Sequence, residues 1–433
     1  MTLTRSEIVA LDKRLVWHPY TAMDRYIAEV EPIVVARAEG ARVFDVDGRA
    51  YLDGNSQWWC AALGHGHPRL VRALIAQSER FSHTSLAGAT HEPAARLAEA
   101  LVAVAPAGLE HVFFSDDGST AVEVALKLSL QYWAQNGRPA RTRFVALDGA
   151  YHGDTIGTTS LGGVELFRKP FASVTFDCLR VPAASDGYQR AFSALSELVR
   201  READQIAAIV LEPMVQGAAG MRTYAAEYLS AARELASEHD IFLIADEVFA
   251  GYGRTGPMWA VEHAGVRPDI LCTAKGFTGG MLPMAATLTT RRIFEGFLGG
   301  SDRTFFYGHT FAGNPLGAAV ALEVLRVYQD EQILQKIPAK AARIQSAFAE
   351  LGKLPGVHAT RSLGMIGALE LESTQGYLDV SGWRVYEQAL SRGAYLRPMG
   401  NVVYTTPPLN IPDADLDELL GILTESVSSV LRA

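Results

Sequence analysis

The chain contains the runs Ile241-Phe-Leu-Ile-Ala-Asp246-Glu247 and Asp269-Ile-Leu-Cys-Thr-Ala-Lys275, two short apolar stretches that each end at a charged residue. Short apolar runs that stop at polar residues are typical of buried parallel strands. The carboxyl ends of such strands meet at the sheet edge where α/β folds place their sites. We therefore expect Asp246 and Lys275 to lie at one edge of one sheet.

An acid and a lysine in this arrangement are suited to pyridoxal phosphate. The cofactor needs a lysine for its Schiff base and a carboxylate that keeps its pyridine nitrogen protonated, so that the ring accepts electrons from a substrate carbanion. Val248 lies two positions after Asp246 and is expected to pack under the ring from the same face. The amine of Lys275, with its pKa lowered by the site, is expected to move a proton at the substrate α-carbon.

The segment Ser115-Asp-Asp-Gly118-Ser119-Thr120 predicts a phosphate seat between an apolar run and a helical stretch. Gly118 lets the backbone approach an anion, Ser119 offers a hydroxyl, and the N–H groups of the helix start point to the same place. Alone, the pattern is also that of an ordinary helix N-cap. Tyr151 follows another predicted strand and is suited to stacking on the pyridine ring, although an aromatic residue there also suits the core.

The composition and net charge of the chain indicate which classes of partner it binds. The 433 residues are 48% hydrophobic and 20% charged, and the formal net charge of −9 argues against a nucleic-acid partner. The first sixteen residues lack an uninterrupted apolar stretch, so we expect no signal peptide or membrane span and a cytoplasmic protein. The three cysteines are far apart in the sequence, which predicts free thiols. The histidines lack the spacing of metal ligands, so no metal is predicted.

Strand-like runs alternate with helical stretches from about residue 111 to about residue 290, which predicts an α/β fold with a mainly parallel sheet covered by helices on both faces. The expected domains are an N-terminal segment (1–65) that packs on the small domain, a large domain (66–325) and a small C-terminal α/β domain (326–433). The predicted strands are His111–Phe114, Arg143–Leu147, Ile206–Glu212, Ile241–Glu247, Ile270–Lys275 and Met284–Thr290.

Three further features are candidates for substrate binding. Trp58 and Trp59 stand among small and polar residues and could wall a pocket as readily as fill a core. Arg397, near Tyr404, is a candidate carboxylate clamp because a guanidinium binds a carboxylate through two parallel hydrogen bonds. Arg254, in a glycine-rich loop, would be available to an anionic substrate.

That loop, Gly251-Tyr-Gly253-Arg-Thr-Gly256, also matches the G-x-G-x-x-G pattern of nicotinamide-dependent dehydrogenases. The context does not fit, because the loop is separated from its strand, Pro257 follows at once, and no acid ends a second strand about twenty residues on. A dehydrogenase and a non-catalytic scaffold stay open as alternatives.

Together these residues resemble the class III aminotransferases, or ω-aminotransferases, of the fold-type I pyridoxal-phosphate enzymes, over nearly the whole chain. The motifs that carry the resemblance are Trp17-His-Pro-Tyr20-Thr-Ala-Met, Ser56-Gln-Trp58-Trp59, Asp117-Gly118-Ser119-Thr-Ala-Val-Glu-Val-Ala, Tyr151-His-Gly-Asp154-Thr, Glu212-Pro-Met-Val-Gln-Gly, Ala274-Lys275-Gly and Leu396-Arg397-Pro398.

The resemblance implies a role for each matching residue. Lys275 would form the Schiff base, Asp246 would hold the pyridine nitrogen, and Tyr151 would stack on the ring. Gly118 and Ser119 would seat the phosphate. The residues implied to bind substrate are Tyr20, Trp58, Gly308 and Arg397, and Thr310 is implied to reach the cofactor phosphate of the neighbouring subunit of a homodimer.

The implied reaction transfers an amino group from S-adenosylmethionine to 8-amino-7-oxononanoate, giving 7,8-diaminononanoate in biotin biosynthesis. His309, between Gly308 and Thr310, resembles the branch of the family that uses lysine as donor, so lysine stays open as the donor. Another class III aminotransferase, acting on ornithine, 4-aminobutyrate or β-alanine, is the remaining alternative within the family.

Overall fold

A computed structural model describes residues 3–432 of the chain. None of the helices in that range is long and apolar enough to cross a membrane. The helices are α1 Arg5–Leu15, α2 Met23–Glu29, α3 Ser56–Trp59, α4 Pro68–Ser78, α5 Glu92–Val104, α6 Gly118–Gln135, α7 Ile156–Leu161, α8 Glu165–Arg168, α9 Tyr188–Glu202, α10 Ala226–Glu238, α11 Arg291–Glu295, α12 Pro315–Asp330, α13 Ile333–Leu351, α14 Ser381–Ser391 and α15 Asp413–Arg432.

The strands form one large sheet and several small ones. They are β1 Val35–Glu39, β2 Arg42–Asp45, β3 Ala50–Asp53, β4 Leu109–Ser115, β5 Arg143–Leu147, β6 Leu179–Val181, β7 Ile206–Leu211, β8 Val215–Gln216, β9 Arg222–Thr223, β10 Phe242–Asp246, β11 Ile270–Thr273, β12 Ala285–Thr290, β13 Val357–Leu363, β14 Ile366–Leu371, β15 Ala394–Tyr395 and β16 Val402–Thr405.

The large sheet has seven strands in the order β4-β12-β11-β10-β7-β5-β6. The strands from β11 to β6 pair in parallel, whereas β12 is antiparallel to both β11 and β4. The prediction of an α/β fold with a mainly parallel sheet is therefore confirmed. The strand β6 was not expected from the sequence pattern, and β11 ends at Thr273, two residues before Lys275.

Both faces of this sheet are covered, which explains why its central strands are apolar throughout. Alternate residues of β10 divide between two cores: Leu243 and Ala245 face one, and Phe242 and Ile244 face the other, which includes much of α6. Every residue of β7 and β10 is buried. Because both faces are dry, polar side chains can emerge only at the strand ends.

The N-terminal strands and the C-terminal part of the chain share a four-stranded sheet in the order β1-β2-β3-β15. The strand β3 pairs in parallel with β15, and Arg42 forms an ion pair of 2.8 Å with Asp415 at the start of α15. The remaining C-terminal strands form the three-stranded sheet β13-β14-β16. The N-terminal segment therefore packs against the C-terminal region.

Candidate active site

A cavity of about 430 Å³ opens where β10 and β11 end. Asp246 is the last residue of β10, and its register partner in the neighbouring parallel strand is Cys272. Lys275 follows β11 by two residues, so both side chains reach the same cavity. Other residues of the wall are Gly118, Ser119, Tyr151, His152, Glu212 and Val248.

The carboxylate of Asp246 is buried and held by two hydrogen bonds. Its Oδ2 accepts from Nδ1 of His152 at 2.7 Å, and its Oδ1 accepts from the backbone N–H of Val248 at 3.1 Å. Burial alone would lower the pKa of His152, but the hydrogen bond and the negative charge of Asp246 outweigh it and raise this pKa. The buried carboxylate therefore lies, at the end of β10, beside an imidazole whose protonated form is favoured.

Lys275 begins a short 3-10 turn and has a positive φ of 52°, a left-handed conformation that costs a residue with a Cβ about 1–2 kcal/mol. Its Nζ lies 4.5 Å from the ring centroid of Trp59. Burial lowers the pKa of Lys275, since the charged amine loses hydration there. Lys275 is thus held in a strained backbone conformation, and its amine gives up its proton more readily than the amine of a surface lysine does.

The predicted phosphate seat is the first turn of α6. Asp117 caps the helix by accepting from Thr120 N–H at 2.9 Å, which leaves the N–H groups of Gly118 and Ser119 without an acceptor inside the helix. A Cβ built on Gly118 would lie 2.6 Å from Cγ1 of Val248. The glycine thus keeps open a cradle that a side chain would fill, and the seat fits a phosphate-bearing group.

A second cavity of about 310 Å³ adjoins the first. Both cavities share Trp59, Cys60, Tyr151, Ala218 and Lys275 in their walls. The second cavity also brings together several residues from distant parts of the chain. These are Tyr20, Trp58, Asp154, Phe167, Tyr377 and Arg397.

Tyr20 and Tyr151 are tied to one carboxylate in this second cavity. The hydroxyl of Tyr20 donates to Asp154 at 2.7 Å, and the hydroxyl of Tyr151 donates to the same carboxylate at 2.8 Å. Burial raises the pKa of both phenols, and the charge of Asp154 acts in the same direction. Both tyrosines therefore keep their protons, which they donate to Asp154, and their hydroxyl oxygens can accept further hydrogen bonds.

Arg397 lies over the face of Trp58, with its Cζ 5.0 Å from the ring centroid. Trp58 belongs to a run of four residues, Ser56 to Trp59, with φ between 45° and 76°. Such left-handed backbone is costly for residues with side chains and persists only when the surroundings hold it. Ser56 donates to the carbonyl of Thr406 at 2.8 Å, and Trp59 donates to the hydroxyl of Tyr404 at 3.3 Å, so β16 and the residue that follows it hold this turn.

The structure does not bring Arg254 to either cavity. Its guanidinium is buried at 3% exposure and donates to the carbonyl of Pro407 at 2.7 Å. Burial lowers the pKa of Arg254 to about 10. We expected this arginine to be available to an anionic substrate, but the fold uses it to bridge the glycine-rich loop and the segment after β16.

Gly308 and Thr310 also lie outside both cavities of this chain, on an exposed loop. His309 between them is anchored, since its Nδ1 lies 3.0 Å from Asp116 and its Nε2 lies 3.0 Å from the hydroxyl of Tyr307. No group of three or more metal-ligating side chains suited to an ion occurs within residues 3–432.

The model of the family "Aminotransferase class-III" matches residues 25–427. The chain belongs to the class III aminotransferases. It is 40% identical to the adenosylmethionine-8-amino-7-oxononanoate aminotransferase of Geobacter sulfurreducens, covering 97% of each chain. It is 42% identical to the enzyme of the same name from Nitratidesulfovibrio vulgaris, covering 97% of this chain and 81% of that one.

Solved structures agree with this membership. The adenosylmethionine-8-amino-7-oxononanoate aminotransferase of Methanocaldococcus jannaschii superposes with a TM-score of 0.95 at 34% identity, covering 98% of this chain and 99% of that one. The omega transaminase of Pseudomonas jessenii in complex with PMP superposes with a TM-score of 0.92 at 27% identity and 98% coverage of each chain. The fold-type I architecture is therefore confirmed.

Several residues that line the cavities of this class III aminotransferase had no role predicted from the sequence. His152, Asp154 and Glu212 stood in quoted motifs, and their positions just after predicted strands could have marked them as site residues. Burial raises the pKa of Glu212 to about 7, and its carboxylate accepts from the N–H groups of Tyr151 and Gly217. Phe167 and Tyr377 stand on surface turns, where no pattern distinguishes them.

Proposed function

We propose that this protein is a pyridoxal-phosphate-dependent aminotransferase that passes an amino group from S-adenosylmethionine to 8-amino-7-oxononanoate, giving 7,8-diaminononanoate in biotin biosynthesis. The observation that carries the proposal is that Asp246, Lys275 and the open cradle at Gly118 line the same cavity. The relatives from Geobacter sulfurreducens and Methanocaldococcus jannaschii, matched over nearly their whole length, support the choice of substrates.

The side chains of the first cavity suit the cofactor at both of its ends. Gly118 and Ser119 would hold the phosphate, and Asp246 would face the pyridine nitrogen with its carboxylate oriented by the hydrogen bond from His152. Val248 and Tyr151 line the walls between which the flat ring would lie. When bound, pyridoxal phosphate supplies an aldehyde for amines and a ring that accepts electrons from the substrate α-carbon.

Lys275 would remove and return the proton at the substrate α-carbon, because burial lowers its pKa and so favours the neutral amine more than in a surface lysine. Arg397 would bind a substrate carboxylate through two parallel hydrogen bonds. Tyr20 and Tyr151, whose hydroxyl protons are donated to Asp154, would accept hydrogen bonds from N–H groups of the substrate near Lys275. Trp58 and Trp59 would exclude water from the apolar middle of the substrate.

The proposal includes a homodimer in which Thr310 and Gly308 complete the neighbouring site. Their loop is exposed and carries two large apolar side chains at the surface, Phe306 at 84% and Phe311 at 57% exposure. A second copy of the chain would cover such residues. We also propose a cytoplasmic location, which suits the three free cysteines of the chain.

The test begins with the visible spectrum of the full-length protein supplied with pyridoxal phosphate. S-adenosylmethionine and lysine are then added separately without acceptor, and loss of the visible band identifies the donor. Addition of 8-amino-7-oxononanoate should restore the band and yield 7,8-diaminononanoate, detected by mass spectrometry. Loss of the band with lysine alone would assign the protein to the lysine-using branch, and no turnover of 8-amino-7-oxononanoate with either donor would refute the proposed acceptor.

A further inference from the structure

Asp53 is the last residue of β3, and its carboxylate is fully buried outside the walls of both cavities. Its Oδ1 accepts from the backbone N–H groups of Asn55 at 3.3 Å and Gln57 at 3.2 Å. Its Oδ2 lies 2.9 Å from Nε2 of His65, which donates because a carboxylate can only accept. One oxygen of Asp53 therefore binds the chain that follows β3, and an imidazole holds the other.

The chain that Asp53 binds is the start of the left-handed turn that carries Trp58. Asn55 precedes this turn, and its side chain makes no capping hydrogen bond to it, so the first N–H groups need an acceptor from elsewhere. Gln57 and Trp58 have φ values of 45° and 64°, and such backbone persists only when its surroundings hold it. The carboxylate of Asp53 supplies the acceptor and so helps to fix Trp58.

The same end of β3 also lies against the chain that leads to Arg397. The N–H of Gly54 donates to the carbonyl of Tyr395, the last residue of β15, at 3.0 Å. A Cβ built on Gly54 would overlap the side chain of Leu396, so the two chains are in close contact where the strands end. Trp58 follows β3 and Arg397 follows β15, and Cζ of Arg397 lies 5.0 Å from the ring centroid of Trp58.

We propose that Asp53 is a positioning residue that fixes the face of Trp58 against Arg397 and thereby aims the guanidinium at a substrate carboxylate. The inference rests on the proposed function, in which Arg397 binds that carboxylate, and deepens it by naming the buried group that sets the clamp. An indole face attracts a guanidinium that lies within about 6 Å of the ring centroid. If the turn relaxed, this contact would be lost, and the guanidinium would leave the orientation that two parallel hydrogen bonds require.

The consequence is a selectivity for charge, because only a ligand with a carboxylate gains from the clamp. The experiment measures the Kd values of hexanoate and hexanamide for the holoenzyme by equilibrium dialysis. These two ligands have nearly the same shape, and only hexanoate carries a charge. We expect the wild type to bind hexanoate more tightly than hexanamide.

Asp53→Leu should lower this preference, expressed as the Kd of hexanamide divided by that of hexanoate, by about tenfold, because the hydrogen bonds to the charged group lose their geometry. Asp53→Asn should stay near the wild type. Its amide oxygen still accepts from the two backbone N–H groups, and its amide N–H can donate to the other tautomer of His65. The matched control is Asp47→Leu, between β2 and β3, where the side chain is 59% exposed. It should leave the preference unchanged.

The partner of the second oxygen is tested separately, at a partly exposed position. His65→Leu removes the donor to Oδ2 and should lower the preference by about threefold, as expected for the loss of one hydrogen bond. His65→Gln, which can still donate, should keep it. If Asp53→Leu does not fold, the two variants of His65 decide the inference.

A double-mutant cycle separates this role from a general loss of structure. Arg397→Lys should lower the preference by itself, and Asp53→Leu should lower it little further in that background, because residues that act through one another are not additive. Additive effects, or equal preferences in Asp53→Leu and Asp47→Leu, would overturn the inference.

The binding measurements need no turnover, so they also separate this inference from the proposed reaction. A wild type that does not prefer hexanoate would overturn the clamp at Arg397 and the role of Asp53 with it. If the preference falls as expected in Asp53→Leu but the wild type does not turn over 8-amino-7-oxononanoate, the proposed acceptor is wrong and the positioning role of Asp53 stands.

Discussion

The imidazole of His152 lies against the carboxylate of Asp246, with Nδ1 and Oδ2 2.7 Å apart and both side chains buried. A carboxylate can only accept, so Nδ1 donates. The other ring nitrogen, Nε2, has no hydrogen-bond partner within residues 3–432. The hydrogen bond of His152 thus goes to Asp246, and His152 acts as a positioning residue that fixes the orientation of that carboxylate.

Loss of this hydrogen bond should lower activity without removing the acid. We expect His152→Leu to reduce kcat by about tenfold to a hundredfold, a range typical for partners that orient a functional ligand. The visible band of bound pyridoxal phosphate should also change its pH dependence, which a purely structural role would not cause. His152→Asn, which can still donate to Asp246, should recover part of the loss. The control is His358→Leu, at an exposed position. Equal pH profiles in wild type and His152→Leu would contradict the positioning role.

Lys275→Ala should abolish amino transfer while the chain stays folded. Without the amine, no group in the cavity moves the proton at the substrate α-carbon, so we expect a loss of at least about 10⁴-fold in kcat. Circular dichroism checks the fold, and a steady-state assay checks turnover. Lys353→Ala, at an exposed surface position, is the matched control. Multiple turnovers by Lys275→Ala would refute the role of this lysine.

Gly118→Ala should weaken binding of pyridoxal phosphate. The added methyl group would lie 2.6 Å from Val248 Cγ1 and would narrow the cradle, and overpacking of this kind costs about 1–3 kcal/mol. Equilibrium dialysis measures the Kd of the cofactor. In Gly421→Ala the new methyl group meets open space, so this variant should bind the cofactor as the wild type does. An unchanged Kd in Gly118→Ala would place the phosphate elsewhere.

Arg397→Lys should raise KM for a carboxylate-bearing substrate with a smaller effect on kcat. A lysine keeps the charge but loses the two parallel hydrogen bonds, and a hydrogen bond to a charged group contributes about 1.5–3 kcal/mol, equivalent to about 10- to 100-fold in KM. Initial rates with 8-amino-7-oxononanoate measure both constants. The control is Arg384→Lys, exposed on α14. The clamp is refuted if KM is the same in both variants.

Glu247 should make stability fall as pH rises. It is fully buried, where it accepts from the N–H groups of Ala260 and Val261, and burial raises its pKa to about 8. Below the unfolded pKa of about 4.5 both states hold the proton. Between pH values of about 4.5 and about 8, only the folded state holds the proton of Glu247. The free energy of unfolding therefore falls by up to about 1.4 kcal/mol for each unit by which the pH rises.

Urea unfolding of the protein at pH 5 to 8 measures this slope. Glu247→Gln removes the titration, so the free energy of unfolding should fall less steeply with pH than in the wild type. Glu387→Gln, at an exposed position on α14, should keep the wild-type slope. Parallel pH profiles for wild type and Glu247→Gln would contradict the prediction.

The sequence by itself determined six of the seven strands of the large sheet and the edge where its candidate site lies. The runs Arg143–Leu147 and Ile241–Glu247 predicted β5 with its observed bounds and β10 to within one residue at each end, because burial on both faces demands continuous apolar residues. The same signal placed Asp246 at the end of β10 and Lys275 within two residues of the end of β11. Their roles stay predictions that the variants above test.

Only the tertiary structure decided which distant residues meet at that edge. Arg254 turned inward to Pro407, His152 paired with Asp246, and Phe167 met Tyr377, and none of these contacts has a local sequence pattern. The physical reason is that strand formation follows from the burial of neighbouring residues, which the sequence displays directly. Contacts between loops depend on how helices and sheets pack together, and the packing of the whole chain sets their positions.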